Sequence, residues 1–510
     1  MSASIRKPLV VVLGATGSGK SKLALEISRL FNGEIISTDS MQIYKGLDIV
    51  TNKVTKEELQ QCPHHMIDYL CPLQEHHNVV EFRDMALPVI DKILKSNKLP
   101  VIVGGTNYYI EALLWKYLIN KQDVERAASD CATPPKLPKY SDDIVTGKLL
   151  PLVNNSTEQD KKVKDEKRTE DNDQNDSVDI HEFRHSLESE DSVVLHQKLM
   201  EVDQEKGRRT HPNDKRKIIR ALEVYYQHGI EISKIQKSQK VETVEGLRKV
   251  PLRYDNTCVF WIQTEKQVLQ ERTDKRVDEM LEKGLIKELL EFHQQYNASR
   301  IKDNKTADYE HGIFQSIGFK EFHEYLILPD DEKDTAKGKK LLARGIEDMK
   351  IATRQYATRQ VRWIVHRFLT NRGHRPTPVY GLDSTDVSQW KEKVYTPAVE
   401  ILTSVLKGEI PKQEPIPLKG DDNAPTYQFC DACNVVILRT KDWNAHISGK
   451  KHKHMLKVQK QRQEEDEFQR KKEKGHTSDD QHNKEKLKND QTEKSDKDAV
   501  DINIDSGSPS

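Results

Sequence analysis

The sequence predicts an α/β fold: a P-loop parallel-sheet core covered by helices, with a helical insertion subdomain and a C-terminal module of two cysteines and two histidines. Three observations lead there. Residues 14–21 read Gly-Ala-Thr-Gly-Ser-Gly-Lys-Ser and directly follow the apolar run Leu9–Leu13. Apolar runs and helix-periodic segments then alternate to about residue 115, the order that gives a parallel sheet covered on both faces. Far downstream, Cys430-x-x-Cys433 is followed after twelve residues by His446 and after five more by His452. Two thiolates and two imidazoles at this spacing can close a tetrahedral Zn²⁺ site.

Leu9 to Leu13 is apolar at every position, as a strand buried on both faces requires. The glycines that follow let the backbone curl so that several N–H groups point at one anion. Gly14, Thr16, Gly17, Ser18 and Gly19 form that loop, Lys20 adds a point charge and Ser21 a hydroxyl for Mg²⁺. A helix over 20–31 follows, with Leu23, Ile27 and Leu30 on one face, and its N-terminus adds positive potential. Strand 34–37 ends at Thr38-Asp39-Ser40. Val80–Lys95 reads as a helix, and Pro100–Val103 as a buried strand ending in Gly104-Gly105-Thr106. Ligands of such sheets sit at the carboxyl ends of the strands, so Ser18, Asp39 and Thr106 should share one crevice.

The pattern breaks over 120–190. Lys161–Asp191 is charged and poor in apolar residues, and about 155–191 reads as a disordered acidic insertion. Order resumes near Val193. His211-Pro212-Asn213-Asp214 opens a helix through Lys215–Tyr226, and Asn256–Gln263 is a further strand. Thr264 and Gln267 suggest a capping box for a helix carrying Arg272 and Arg276 one turn apart. Helices then run to about Phe368. The proline-rich stretch 371–425 reads as a linker, and the polar tail from Lys457 as disordered. The expected domains are a first core part (6–118), an insertion subdomain (119–210), a core return with basic helices (211–370), the linker (371–425), the Cys/His module (426–456) and the tail (457–510).

Composition sets further bounds. Lys plus Arg and Asp plus Glu both number 82, but the charges are segregated, so a net charge of zero says little about partners. Cys62, Cys71, Cys131 and Cys258 are scattered, which suits a reducing compartment. No apolar run approaches the ~20 residues of a membrane span. Eight residues precede the first strand, too few for a cleavable signal. The cytosol is therefore the expected location, with nuclear or mitochondrial pools left open.

In the Cys/His module, Phe429, Val436, Leu438 and Trp443 offer a core too small to fold without metal. His454 is a spare imidazole. Lys450, Lys451, Lys453 and Lys457 suit contact with a phosphate backbone, or form a solvated face. Arg344–Arg367 is a second basic region. Arg354, Thr358 and Arg362 share one helical face, and Arg359, Arg362 and His366 an adjacent one, with Tyr356 and Trp363 interleaved. That suits single-stranded RNA, or an exposed helix with a core tryptophan.

A nucleotide-hydrolysing P-loop protein usually places a metal-binding Asp after a second strand. Here Val101–Val103 ends in Gly-Gly-Thr, and the acid near the phosphates is Asp39, which could serve a metal or act as a base. The wider motif set is more specific. The loop at 14–21, Thr-Asp-Ser-Met-Gln-Ile-Tyr at 38–44 and Gly-Gly-Thr-Asn-Tyr-Tyr at 104–109 are followed by three more segments. These are His-Pro-Asn-Asp-Lys-Arg-Lys-Ile-Ile-Arg-Ala-Leu-Glu-Val-Tyr at 211–225, Arg-Val-Asp-Glu-Met-Leu at 276–281 and Gln-Ser-Ile-Gly-Phe-Lys-Glu-Phe at 315–322. Over about residues 8–370 the chain resembles the tRNA dimethylallyltransferases, also called tRNA isopentenyltransferases. The Cys/His module resembles the C-terminal finger of the eukaryotic members. The acidic insertion has no counterpart in that pattern.

The resemblance implies transfer of a dimethylallyl group from dimethylallyl diphosphate to the exocyclic amine of the adenine 3′ of the tRNA anticodon. A monomer with no membrane partner is expected. The resemblance implies Asp39 as general base. Lys20, the loop amides, Thr106 and Arg220 would hold the diphosphate, with Ser21 on Mg²⁺. Ser40, Met41 and Gln42 would grip the target base. Arg216, Arg220, Gln315, Gly318, Lys320, Arg359 and Arg362 would extend the tRNA surface, with Zn²⁺ on Cys430, Cys433, His446 and His452. A P-loop small-molecule kinase, an RNA-binding scaffold and an adenylate-type acceptor are the competing readings.

Overall fold

The apolar run after Lys7 forms β1 (Leu9–Gly14), buried at every residue. The structure, a computed structural model, describes residues 7–72, 77–119, 121–129, 180–242, 248–297, 309, 311–370, 376–419, 425–465 and 467. They fall into two units, residues 1–137 with 228–421 and residues 138–227 with 422–510.

The first unit is built on a six-stranded sheet. After β1 come α1 (Lys20–Leu30), β2 (Gly33–Ser37), β3 (His64–His65), α2 (Val79–Lys95), β4 (Leu99–Val103) and α3 (Asn107–Leu114). Then follow β5 (Thr257–Gln263), α4 (Lys266–Glu282), α5 (Leu285–Phe292), α6 (Ala336–Arg367), β6 (Val379–Asp383) and α7 (Thr396–Lys407). The strand order is β3-β2-β4-β1-β5-β6, every pairing is parallel, and Val11 stands level with Ile102 and Val259. Strand side chains alternate between faces. Val10 and Val12 therefore pack with Leu23 and Ile27 of α1 and Ile401 and Leu402 of α7. Leu9, Val11 and Leu13 pack on the other face with Phe82 and Ile90 of α2, Leu113 of α3 and Ile364 of α6. A third cluster joins Ile43, Tyr44 and Val50 to Val277 and Met280 of α4, Leu289 of α5, Phe319, Phe322 and Met349. It fixes the loop after β2 against the turn at 312–322.

The described part of the expected linker (371–425), residues 376–419, is not a linker. It supplies β6, which pairs along β5 from Val259↔Val379 to Gln263↔Asp383. Its Val394, Ala398, Ile401 and Leu402 are buried against the sheet. Prolines misled here because β6 is short and an edge strand, and its partner lies over a hundred residues earlier in the chain. The capping box at Thr264 and Gln267 does not form either. Glu265 is the N-cap without a side-chain bond, since the Thr264 hydroxyl is taken by Ser384 Oγ at 2.7 Å.

The second unit holds the helices Ile180–Ser189, Ser192–Val202 and Gln204–Arg208 with most of Lys215–His228. The last of these was expected in the core return. Its apolar face (Ile218, Ile219, Leu222) is buried, and Tyr226 meets Phe183 edge to face at 4.6 Å. The acidic insertion ends earlier than expected, because Phe183 and Leu187, one turn apart, are both buried on the helix Ile180–Ser189. The rest of that insertion, 155–179, lies outside the described residues. The tail, expected to be disordered from Lys457, is helical over 457–465, and from 468 on it too lies outside them. Lys121–Ser129, expected in the insertion subdomain, belongs to the first unit, where Asp123 accepts a bond from Gln239 at 2.9 Å.

Candidate active site

The loop between β1 and α1 turns on glycines with left-handed backbone, Gly17 at φ +85° and Gly19 at φ +94°. Gly19 caps α1 without any side-chain bond, so the first N–H groups of the helix face the loop's concavity. Lys20 is buried and donates to the Ala15 carbonyl at 2.7 Å. Burial, helped by the Arg276 charge and opposed by Asp39, pushes the Lys20 ammonium down to about 7. The Ser18 hydroxyl is buried in the same loop without a hydrogen-bond partner. An orphaned hydroxyl beside a buried ammonium and helix-end amides is a donor set suited to a phosphate group.

Asp39 stands just past β2, opposite Gly104-Gly105-Thr106 at the end of β4. The two strand ends nearly touch. A Cβ on Gly104 would lie 2.3 Å from the Thr38 carbonyl, and one on Gly105 would lie 2.7 Å from Asp39 Oδ2. Glycine is required there by close approach. Asp39 Oδ1 accepts from the Met41 N–H at 3.0 Å. Burial raises the Asp39 carboxyl above its usual range, against backbone N–H bonds from Met41, Gln42 and Gly105 and the Lys20 charge. Thr106 Oγ1 accepts from the Ser40 N–H at 2.9 Å and donates to Ser40 Oγ at 3.0 Å. Gln42 is fully engaged: its Oε1 accepts from Ser37 Oγ at 3.0 Å, and its Nε2 donates to the Thr51 and Asn52 carbonyls at 3.1 and 3.0 Å.

Two helices close the site. From α6, Gln360 Oε1 accepts from the Thr16 N–H at 2.8 Å while its Nε2 donates to the Gly105 carbonyl at 2.8 Å. One buried side chain thus ties the P-loop to the Gly-Gly turn. Tyr356 Oη donates to the same carbonyl at 3.1 Å. From α4, Arg276 donates to Thr16 Oγ1 at 2.5 Å. Of these, Arg276 and Tyr356 stood out in the sequence. Gln360 had a signal too, as a polar residue on the stripe Met349, Thr353, Ala357, Gln360, Ile364 that faces the interior.

Most of these groups line one cavity of ≈ 660 Å³. Thr16, Gly17, Gly19, Lys20, Ser21, Asp39, Ser40, Met41, Gln42, Gln315 and Arg359 all line it. Of the other expected site residues, Gly14, Ser18, Thr106, Arg216, Arg220, Gly318, Lys320 and Arg362 are not among its lining. Gly318, at φ +125°, packs where a Cβ would come 2.8 Å from Val50 Cγ2. Lys320 is exposed. Arg220 lies in the second unit and pairs with Glu223 at 3.2 Å, as Arg216 lies exposed on the same helix.

The basic face of α6 divides in two. Arg354 is committed to Asp274 at 2.6 Å and Glu347 at 3.2 Å, Lys350 to Asp278 at 2.6 Å, and Arg344 to Glu324 at 3.3 Å. Arg354 was expected on the RNA face and instead joins α6 to α4. Arg367 holds the fully buried Glu111 at 2.6 Å, and the Trp363 indole N–H donates to the same carboxylate. Trp363 is nonetheless 40% exposed, with Tyr108 at 6.1 Å. Arg359 and Arg362 are exposed, and Arg359 lies over the Tyr356 ring at 5.9 Å.

In the finger, Pro425–Cys430 and Val435–Arg439 form a hairpin followed by the helix Thr440–Ser448. Cys430, Cys433, His446 and His452 bring one ligand atom each within 4.8 Å of one another. The His446 Nε2 is buried without a partner. Soft thiolates with imidazoles in this grouping fit Zn²⁺. His454 is not part of the group. Phe429, expected in the core, is 45% exposed, and Cys430 is the one fully buried residue among the described positions of the hairpin and helix.

Residues 42–168 and 161–367 match a family described as IPP transferase. The tRNA dimethylallyltransferase of Homo sapiens is 42% identical over 452 residues, 88% of this chain and 86% of that one. The tRNA dimethylallyltransferase of Saccharomyces cerevisiae is 30% identical, over 89% of this chain and 93% of its own. A crystal structure of a eukaryotic dimethylallyltransferase acting on tRNA superposes with a TM-score of 0.66 at 28% identity, covering 91% of this chain and all of that one.

Proposed function

This chain belongs to the IPP transferase family and transfers a dimethylallyl group to tRNA, and we propose how the residues of its cavity divide that work. The loop Gly14–Ser21 holds the diphosphate of dimethylallyl diphosphate. The acceptor is the exocyclic amine of the adenine 3′ of the anticodon, which must leave its stack to enter the cavity. The amine nitrogen bonds to the first carbon of the dimethylallyl group as the carbon–oxygen bond to diphosphate breaks. Asp39 takes the proton that the nitrogen loses. A carboxylate raised above its usual range holds a proton more tightly, which suits a base acting on a weakly basic aromatic amine. The charge growing on the departing diphosphate falls to Lys20, Arg276, the loop amides and the Thr106 side of the crevice, donors set before the reaction begins. Ser21, lining the cavity at the first turn of α1, is the hydroxyl that would hold Mg²⁺, which neutralises diphosphate charge. Arg359 and Arg362, with Trp363 and Tyr108, offer the anticodon a basic and aromatic surface. The finger's four ligands hold Zn²⁺. No helix among the described residues is long and apolar enough to cross a membrane. The scattered cysteines suit a reducing compartment, and we propose a cytoplasmic monomer, with nuclear or mitochondrial pools left open.

The observation that carries this reading is Asp39 and Lys20 facing one cavity from the carboxyl ends of β2 and β1, on either side of β4. Asp39→Asn keeps the shape of the site and removes the base. The single-turnover prenyl transfer rate should fall by ~10²–10⁴, with the Michaelis constants for both substrates little changed. A near-normal rate would remove Asp39 from that role.

A further inference from the structure

The diphosphate loop is held from outside the cavity by a residue of the segment that follows β6. The Trp390 indole lies directly against Gly19. A Cβ built on Gly19 would be 2.8 Å from both Cη2 and Cζ3 of the ring, so the ring edge rests on the glycine backbone. The ring is fixed at two further points. Its Nε1 donates to Glu26 Oε2 of α1 at 2.9 Å, and Lys22 Nζ lies 4.6 Å from its centroid, within the range of a cation–π contact. Trp390 is buried, at 8% exposure, and does not line the cavity, whereas Gly19 and Lys22 both do. The same segment also meets α4, where Arg272 Nη2 donates to the Thr385 carbonyl at 2.8 Å. One helical turn further along α4, Arg276 reaches Thr16 on the other side of the loop.

Gly19 needs such support. It sits at φ +94° as the N-cap of α1 with no side-chain cap of its own. A glycine explores both signs of φ freely, so local chemistry leaves its N–H direction unset. The indole removes that freedom by contact. It also holds the Lys22 ammonium over its face, at the rim of the cavity.

We propose that Trp390 is a positioning residue for the diphosphate site. It sets the Gly19 backbone and the Lys22 ammonium, and the segment from β6 through α7 is through it a working part of that site. The inference rests on the reading of Gly14–Ser21 as the diphosphate loop.

The test is steady-state kinetics on the full-length chain, with each substrate varied at saturating levels of the other, and melting temperatures in parallel. Trp390→Ala should raise the Michaelis constant for dimethylallyl diphosphate about tenfold or more, since small misplacements of a binding group are costly. The constant for tRNA should stay within about twofold. Trp390→Phe keeps a ring on Gly19 but loses the bond to Glu26, and should give a rise of about two- to threefold. If Trp390→Ala lowers the melting temperature and moves neither constant, or moves both alike, the residue is merely structural and the proposal is overturned. Should Trp390→Ala not fold, Trp390→Phe carries the test, and an unchanged constant for dimethylallyl diphosphate overturns it. Lys20→Ala is measured beside them. If it too leaves that constant unchanged, the loop reading fails. If Lys20→Ala raises it and the Trp390 variants do not, this inference fails alone.

Discussion

Lys20 shows how much of the chemistry rests on the surroundings of a single residue. Its ammonium is ordinary in the sequence, yet burial beside Arg276 pushes it down to about 7 from 10.5, with Asp39 pulling the other way. The sign of the consequence follows. Below about 7 the site already carries the proton, and above it the lysine is neutral before an anion arrives. Diphosphate binds the charged form, so binding above that point must first take up a proton. The Michaelis constant for dimethylallyl diphosphate should therefore rise with pH from ~7 towards ~9. Lys20→Ala should raise the constant at low pH and flatten the profile. A profile that keeps its slope in Lys20→Ala would assign the titration to another group. Asp39 runs in the opposite sense: its carboxyl is raised, so the acid limb of the chemical step should lie above the ordinary carboxylate range and vanish in Asp39→Asn.

At the scale of elements, α6 carries three separate jobs on one helix of 32 residues. Its buried stripe includes Gln360, which bridges the loop after β1 and the turn after β4. A second face, with Lys350 and Arg354, pairs with acids of α4. A third, with Arg359 and Arg362, faces solvent. Sequence periodicity places all these arginines on adjoining faces but cannot say which have acid partners. Two outcomes separate them. Arg359→Ala and Arg362→Ala should raise the tRNA concentration needed and flatten its salt dependence, because each lost phosphate contact releases fewer counterions. Arg354→Ala should instead cost about 1 kcal/mol of stability, read as a lower melting temperature, with the salt slope unchanged. A stability loss in Arg359→Ala with an unaltered salt slope would reverse the assignment.

For the molecule as a whole, the finger is the part whose fold depends most on a bound ion. Its hairpin and helix bury little besides Cys430, so metal binding is folding free energy there. Purified protein should contain one zinc per chain by metal analysis, and Cys433→Ser should lose it. That variant should need more tRNA while its turnover at saturating tRNA is largely kept, because the cavity is built wholly within residues 16–360. Wild-type protein free of zinc would refute the first half.

What the sequence by itself determined is what lies within a few residues of its own cause. Strands β1, β4 and β5 are built on continuous apolar runs, β2 carries only Ile35-Ile36, the phosphate loop is eight consecutive residues, and the finger's ligands are close in the chain. Asp39 and Thr106 could be placed in one crevice because parallel strands put their carboxyl ends together. The tertiary structure alone decided which distant residues complete those pieces. A five-residue stretch among prolines became β6, and the segment after it the seat of Trp390, only because the free edge of β5 was there to receive the strand. Gln360, Arg276 and Arg354 acquired their roles from partners on other elements. Long-range pairing of this kind depends on where the chain returns in space, and that is set by the packing of the whole core rather than by any local pattern.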